Sequence, residues 1–285
     1  MGPRRAVAAE SVAWPGVRAL DGGRRGYADT PAGQVHYRSV GNGIPLLLLH
    51  QSSWFLVQYA RVQPLFAGLG IRSVAVDRPG YGFSDRPPEA LSAEGFADNL
   101  PAVLDALELD KVAVAGHHTG TSEGAAFAHR HPDRVSCLVM HGPLFYTAQE
   151  RQQRLSLEPW NQQLMRDGSH LSDHFKFAYD VLSDGKASLE SCQWSTFGYF
   201  LTGENGWDGP RAAFSYDMEP AIRDITRPTM IISNSDDNVH HMAARVLDLR
   251  PDFEYQEFQG GHSSMFYDDP QPWVDAVAPF VKRHS

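Results

Sequence analysis

The strongest constraint in this sequence is a rhythm of short, continuously apolar runs separated by stretches long enough for a helix. Residues 45–50 read PLLLLH, 73–77 SVAVD, 111–116 KVAVAG and 229–234 TMIISN. A strand that is apolar on consecutive residues has both faces buried, so helices must cover both sides of its sheet. Residues 34–40 (QVHYRSV) instead alternate and read as an early, half-exposed strand, while 135–141 and 253–258 complete the series. Helical patterns fall near 96–109, over 122–131 up to Pro132, and over an amphipathic closing stretch at 272–282. The expected class is α/β, with a mostly parallel central sheet flanked by helices.

Between residues 143 and 227 the rhythm changes to helical spacing rich in aromatic residues, among them Trp160, Trp194, Phe197 and Trp207. An insertion of that kind between two core strands reads as a helical cap over a pocket. The expected organisation is an N-terminal extension (1–26), a core of 27–142 and 228–285, and a cap of 143–227. At 285 residues and 42% hydrophobic content the chain can bury a sizeable core.

Charge and cysteine content narrow the partners. A net charge of −9 argues against nucleic acid, which calls for a basic face. No run reaches the ~18 apolar residues of a membrane span, and the N-terminal MGPRRAVAAESVAWPG lacks a signal-like apolar stretch. About 20 residues there show too little apolar periodicity to predict order. The two cysteines, Cys137 and Cys192, suggest no disulfide framework. A cytoplasmic protein acting on a small molecule is expected, with no nucleic-acid or membrane partner. Its oligomeric state stays open, a homodimer among the options.

Three segments carry a resemblance: LLLLHQSSW at a strand end, DRPGYGFSDRP after the next strand, and AGHHTGTSEGAAFAHRHPDRV as strand, sharp turn and helix. In that order they resemble the α/β-hydrolase superfamily over residue 27 to the C-terminus, with Gln51 where that family usually has glycine. A small-x-nucleophile-x-small turn tolerates only small neighbours. Gly116 and Gly120 supply them, which places His118 at the nucleophile position. Gly120–Gly124 is itself a G-x-S-x-G match, but there Ser122 falls one turn inside the helix, so the register favours His118.

The resemblance further implies an acid after residues 229–234, where strand length favours Asp237 over Asp236, and a catalytic histidine at His262 in QGGHSSMFYDDP. It implies an oxyanion hole from the backbone amides of Ser52 and Thr119. With Asp237 paired to His262, His118 would stay neutral as base or donor. Trp54, Trp160, Trp194 and Phe197 are the expected substrate-binding aromatics. Glu123 reads as a solvated or capping carboxylate, and His240–His241 as part of a loop. His50, His117, His118, His240, His241 and His262 cluster near strand ends, yet no H-x-x-x-H or H-E-x-x-H spacing occurs among them. No metal or cofactor is expected. The activity implied is cofactor-independent hydrolysis of an ester, lactone or related carbonyl bond. A lyase- or isomerase-type proton transfer, or a non-catalytic binder retaining the fold, is the alternative.

Overall fold

The computed structural model describes residues 11–157, 162–262 and 264–285. Eight strands among them form one sheet: β1 (Arg24–Thr30), β2 (Gly33–Val40), β3 (Ile44–Leu49), β4 (Ile71–Val76), β5 (Val112–His117), β6 (Val135–His141), β7 (Thr229–Asn234) and β8 (Glu254–Phe258). Their spatial order is β1-β2-β4-β3-β5-β6-β7-β8. β2 runs antiparallel to β1 and β4, and every pairing from β4 onward is parallel.

Twelve α-helices are described around it. α1 (Val62–Gly68), α2 (Ala93–Ala97), α3 (Leu100–Ala106) and α4 (Thr119–Arg130) precede β6. α5 (Ala148–Leu155), α6 (Ser169–Lys176), α7 (Leu189–Leu201), α8 (Asp208–Ser215) and α9 (Met218–Asp224) lie between β6 and β7. α10 (His240–Leu249), α11 (Met265–Asp268) and α12 (Gln271–His284) follow β7.

The apolar runs explain the layering. Within β3, Leu47 and Leu49 enter the core on one face while Leu46 and Leu48 enter the core on the other. Val112 and Val114 of β5 divide from Ala113 and Ala115 in the same way. A period of two on residues that are all apolar thus fills two cores at once. The first core packs α2, α3, α4, α9 and α10, the second α1, α11 and α12.

The segment between β6 and β7 is helical throughout its regular elements, and α9 packs on α4 through Met218, Ala221 and Ile222 of the first core. Order reaches further toward the N-terminus than the composition predicts. Arg38, fully buried, donates to the Leu20 and Asp21 carbonyls at 3.0 and 2.8 Å, and Trp14 packs on Trp194 with ring centroids 4.7 Å apart. None of the described helices is long and apolar enough to cross a membrane. His240 and His241 open α10 and are not in a loop.

Candidate active site

β5 ends at His117 and α4 begins at Thr119, so a single residue, His118, makes the whole strand-to-helix turn. Its backbone is held at φ 46°, ψ −113°, a strained conformation for a side-chain-bearing residue. The glycines on either side are sterically required. A Cβ on Gly116 would meet the Gly120 carbonyl oxygen at 2.3 Å, and one on Gly120 would meet that of Leu49 at 2.2 Å. The His118 amide donates to the His141 carbonyl at 3.0 Å, which ties the turn to β6.

The His118 side chain meets Asp237, which lies just beyond β7. His118 Nε2 is 2.6 Å from Asp237 Oδ2, and the Val239 amide donates to the other carboxylate oxygen at 3.1 Å. Burial pushes the Asp237 carboxyl up, but the charge and hydrogen bond of His118 outweigh it and hold the group at about 2. His118 Nδ1 makes no hydrogen bond among the described residues. Directly against this pair lies Gly142, at φ +61°, where a Cβ would meet His118 Cδ2 at 2.4 Å.

This arrangement reverses the expected partnership. Asp237 pairs with His118, while His262 Nε2 lies 3.9 Å from Asp268 and its Nδ1 accepts from the Ser264 amide at 3.3 Å. The imidazole of His118 is long enough to span from the turn to the acid and takes the carboxylate itself. Burial lowers the His262 pKa, with Asp268 opposing and Lys186 assisting. Asp236 turns away to an exposed ion pair with Lys186 at 2.8 Å. Ser122 is buried within the first turn of α4, its hydroxyl without a hydrogen-bond partner among the described residues.

The Ser52 amide, expected to face an oxyanion, donates instead to Thr119 Oγ1 at 2.8 Å. Arg78 Nη1 donates to the same oxygen at 3.2 Å, and the Thr119 hydroxyl points to Ser52 Oγ at 3.3 Å. Ser52 Oγ in turn lies 3.3 Å from the Tyr81 hydroxyl, which donates to the Gly206 carbonyl at 3.2 Å and accepts the Gly209 amide at 2.9 Å. The Thr119 amide, first in α4, has no acceptor within its own helix. Behind the network, Arg78 faces Glu123 at 3.6 Å, both fully buried. Glu123 is therefore not a solvated carboxylate. α4 is covered on every side over residues 119–128, and burial raises the Glu123 pKa against the pull of Arg78.

Beneath His118 lie two buried histidines. The His117 ring is 4.1 Å from that of His118 and 5.1 Å from that of His141, centroid to centroid. Atoms of His117, His118 and Asp237 come within 4.8 Å of one another, close enough for a cation. The hydrogen bonding argues otherwise. The Gln51 amide donates to Gln58 Oε1 at 3.0 Å, which turns the Gln58 NH₂ toward His117 Nδ1 at 2.9 Å. Nδ1 therefore accepts and the proton sits on Nε2, so neutral His117 has no lone pair left for a metal. Burial, then the neighbouring His118 and His141, hold His117 well below the ordinary histidine range.

The site opens into a cavity of about 1060 Å³, with His118, Asp237 and His262 in its wall. Trp54 lines it, and the helical segment adds Phe177, Tyr199, Phe200, Trp207 and Phe214. Trp194 and Phe197 do not line it. They lie three residues apart on the other side of α7, where both pack on Trp14, and Trp194 Nε1 donates to the Tyr267 hydroxyl at 3.0 Å. Trp160 lies outside the described residues. Sequence reasoning missed Arg78 and Gly142 as parts of the site. The DRPGYG turn and the glycine directly after β6 were the available signals.

Comparison with known proteins agrees with this architecture. The family model described as alpha/beta hydrolase fold matches residues 44–269. A 2-hydroxy-6-oxo-2,4-heptadienoate hydrolase of Pseudomonas putida is 29% identical over 217 residues, 72% of this chain and 76% of that one. A 2-(acetamidomethylene)succinate hydrolase of Mesorhizobium japonicum is 23% identical over 267 residues, covering 87% and 91%. Among solved structures, the enol-lactonase of Burkholderia xenovorans superposes with a TM-score of 0.74 at 16% identity, covering 90% of this chain and all of that one.

Proposed function

Because this chain belongs to the α/β-hydrolase fold family, we propose that it hydrolyses an ester, lactone or related carbonyl bond of a small, largely apolar molecule, with His118 as general base. It is a hydrolase-fold enzyme whose relatives are hydrolases. The observation that carries the proposal is the 2.6 Å contact of His118 Nε2 with Asp237 at the wall of an aromatic-lined cavity.

The chemistry follows from the tautomer. Asp237, ionised, accepts a hydrogen bond from Nε2–H, which fixes the tautomer and leaves the Nδ1 lone pair as the base. Nδ1 removes a proton from water, the hydroxide adds to the carbonyl carbon, and the same proton then passes to the leaving group as the tetrahedral centre collapses. No acyl-enzyme on a serine is required. His262, kept neutral by burial in the cavity wall, serves as a second polar contact to substrate. The carbonyl-bearing substrates named for the relatives, a hydroxy-oxo-dienoate and an enol-lactone, support a carbonyl substrate here. A proton transfer without water, as in a lyase or isomerase, would use the same dyad.

The test compares wild type, His118→Ala and His118→Ser on aryl esters, lactones and hydroxy-oxo-dienoates. His118→Ala should lose at least about a hundredfold in kcat, the lower end for an acid–base group. An unchanged rate refutes the role of His118. Substrate proton exchange without cleavage by the wild type would select the lyase or isomerase reading.

A further inference from the structure

The amide of Ser52 is occupied, yet its hydroxyl sits at the end of a hydrogen-bond chain that begins on a buried cation. We propose that Ser52 serves the cavity through its side-chain hydroxyl rather than its amide, as the donor to a developing oxyanion, with Thr119 and Arg78 as the residues that position it. This rests on the carbonyl chemistry proposed above.

Counting protons along the chain fixes its direction. Thr119 Oγ1 accepts two N–H groups, from Ser52 at 2.8 Å and Arg78 Nη1 at 3.2 Å. Its own proton must therefore point outward, toward Ser52 Oγ. Farther along, the Tyr81 hydroxyl gives its proton to the Gly206 carbonyl and already accepts the Gly209 amide. Ser52 Oγ thus accepts from Thr119 and keeps its own proton, whose acceptor among the described residues is the Tyr81 hydroxyl at 3.3 Å. Tyr81 is already engaged both as donor and as acceptor, so this proton can turn to an anion in the cavity, where a charged acceptor makes the stronger bond.

Arg78 gives the chain its polarity. A guanidinium is always charged, and Glu123 at 3.6 Å is too far to hydrogen-bond and fully satisfy it. Arg78 is further clamped by the His50 carbonyl through Nη2, and its amide donates to His50 Nε2 at 3.2 Å. Each hydroxyl that accepts from a charged or polarised donor becomes a stronger donor itself. Gly209 closes over the far end, since a Cβ there would meet Ser52 Oγ and the Tyr81 hydroxyl, each at 2.5 Å.

The two donor assignments predict opposite signs for one substitution. Thr119→Val removes the acceptor that occupies the Ser52 amide and also breaks the hydroxyl relay. If the amide is the oxyanion donor, anion binding should hold or improve. If the hydroxyl is the donor, it should weaken. The measurement is titration of the full-length protein with 4-nitrophenolate, followed by its absorbance shift. Thr119→Val and Ser52→Ala should each weaken binding at least about tenfold, the scale of one charge-assisted hydrogen bond. Thr119→Ser, which keeps the hydroxyl, should bind as wild type does. Arg78→Met should match Thr119→Val, and if that variant fails to fold, the Thr119 pair decides alone. Unchanged or tighter binding by Thr119→Val, or no phenolate uptake by wild type, overturns the proposal. Phenolate binding needs no turnover, so the result is independent of the His118→Ala assay.

Discussion

Gly142→Ala isolates the contact on which the proposed chemistry turns. Two costs can be read from the structure. The backbone at φ +61° is left-handed, and a side chain there costs about 1–2 kcal/mol. The new Cβ would also stand 2.4 Å from His118 Cδ2, against 3.4 Å for ordinary contact, so the ring must withdraw by 3.4 − 2.4 = 1.0 Å. That movement takes Nε2 away from Asp237, where the present separation is 2.6 Å. A misplacement of about 1 Å at a reacting group can cost roughly a hundredfold in rate. Gly168→Ala is the matched control: φ is +75° and nothing lies within 4 Å of its Cβ. Both variants should lose about 2–8 °C in Tm from the backbone term alone. Only Gly142→Ala should also lose about two orders of magnitude in kcat on the substrate found with the His118 variants. Equal kcat in the two variants would refute the view that His118 must stay on Asp237.

Two further predictions concern charge. The Asp237 carboxyl is held at about 2 against an ordinary 3.8, so its contribution is present above the unfolded value and lost as pH falls through the folded one. Asp237→Asn should cost about 2 kcal/mol at pH ~6 and roughly three orders of magnitude or more in turnover. Urea melts should show the stability gap closing below pH ~4, and a gap that does not narrow would contradict the pairing. His141 is pushed by burial from 6.5 down to about 3. The folded state therefore binds fewer protons than the unfolded one between those values, so stability rises with pH across that window, and is lost on acidification, by up to about 1.4 kcal/mol per unit. His141→Leu should flatten the stability–pH slope by about one proton between pH ~4 and ~6, and an unchanged slope would show that His141 is not held neutral.

What the sequence disclosed tracks what a local pattern can encode. The central strands were legible because residues such as Leu46–Leu49 are apolar at every position, which only two-sided burial explains. β1, reading RRGYADT, was not, because an edge strand exposed along much of its length carries no such pattern. His118 was legible at the turn through the spacing of Gly116 and Gly120, whose missing Cβ atoms the turn requires. Its partner was not. Which histidine takes Asp237 depends on how far an imidazole reaches from the turn across the end of the sheet, a three-dimensional distance that no motif records. Glu123 was misread for a related reason. Solvent exposure was expected of a charged residue on a helix, but α4 is buried on all sides and holds its carboxylate against Arg78.

The packing of Trp14 on Trp194 and Phe197 has a consequence for anyone recombining this fold. The helix that presents Tyr199 and Phe200 to the cavity is braced from behind by chain that precedes the first strand. A chimera that exchanges only the stretch between β6 and β7 would leave that brace facing an unfamiliar helix. Transplanting substrate preference would therefore mean moving two discontinuous pieces together, the inserted helices and the leader segment that carries Trp14.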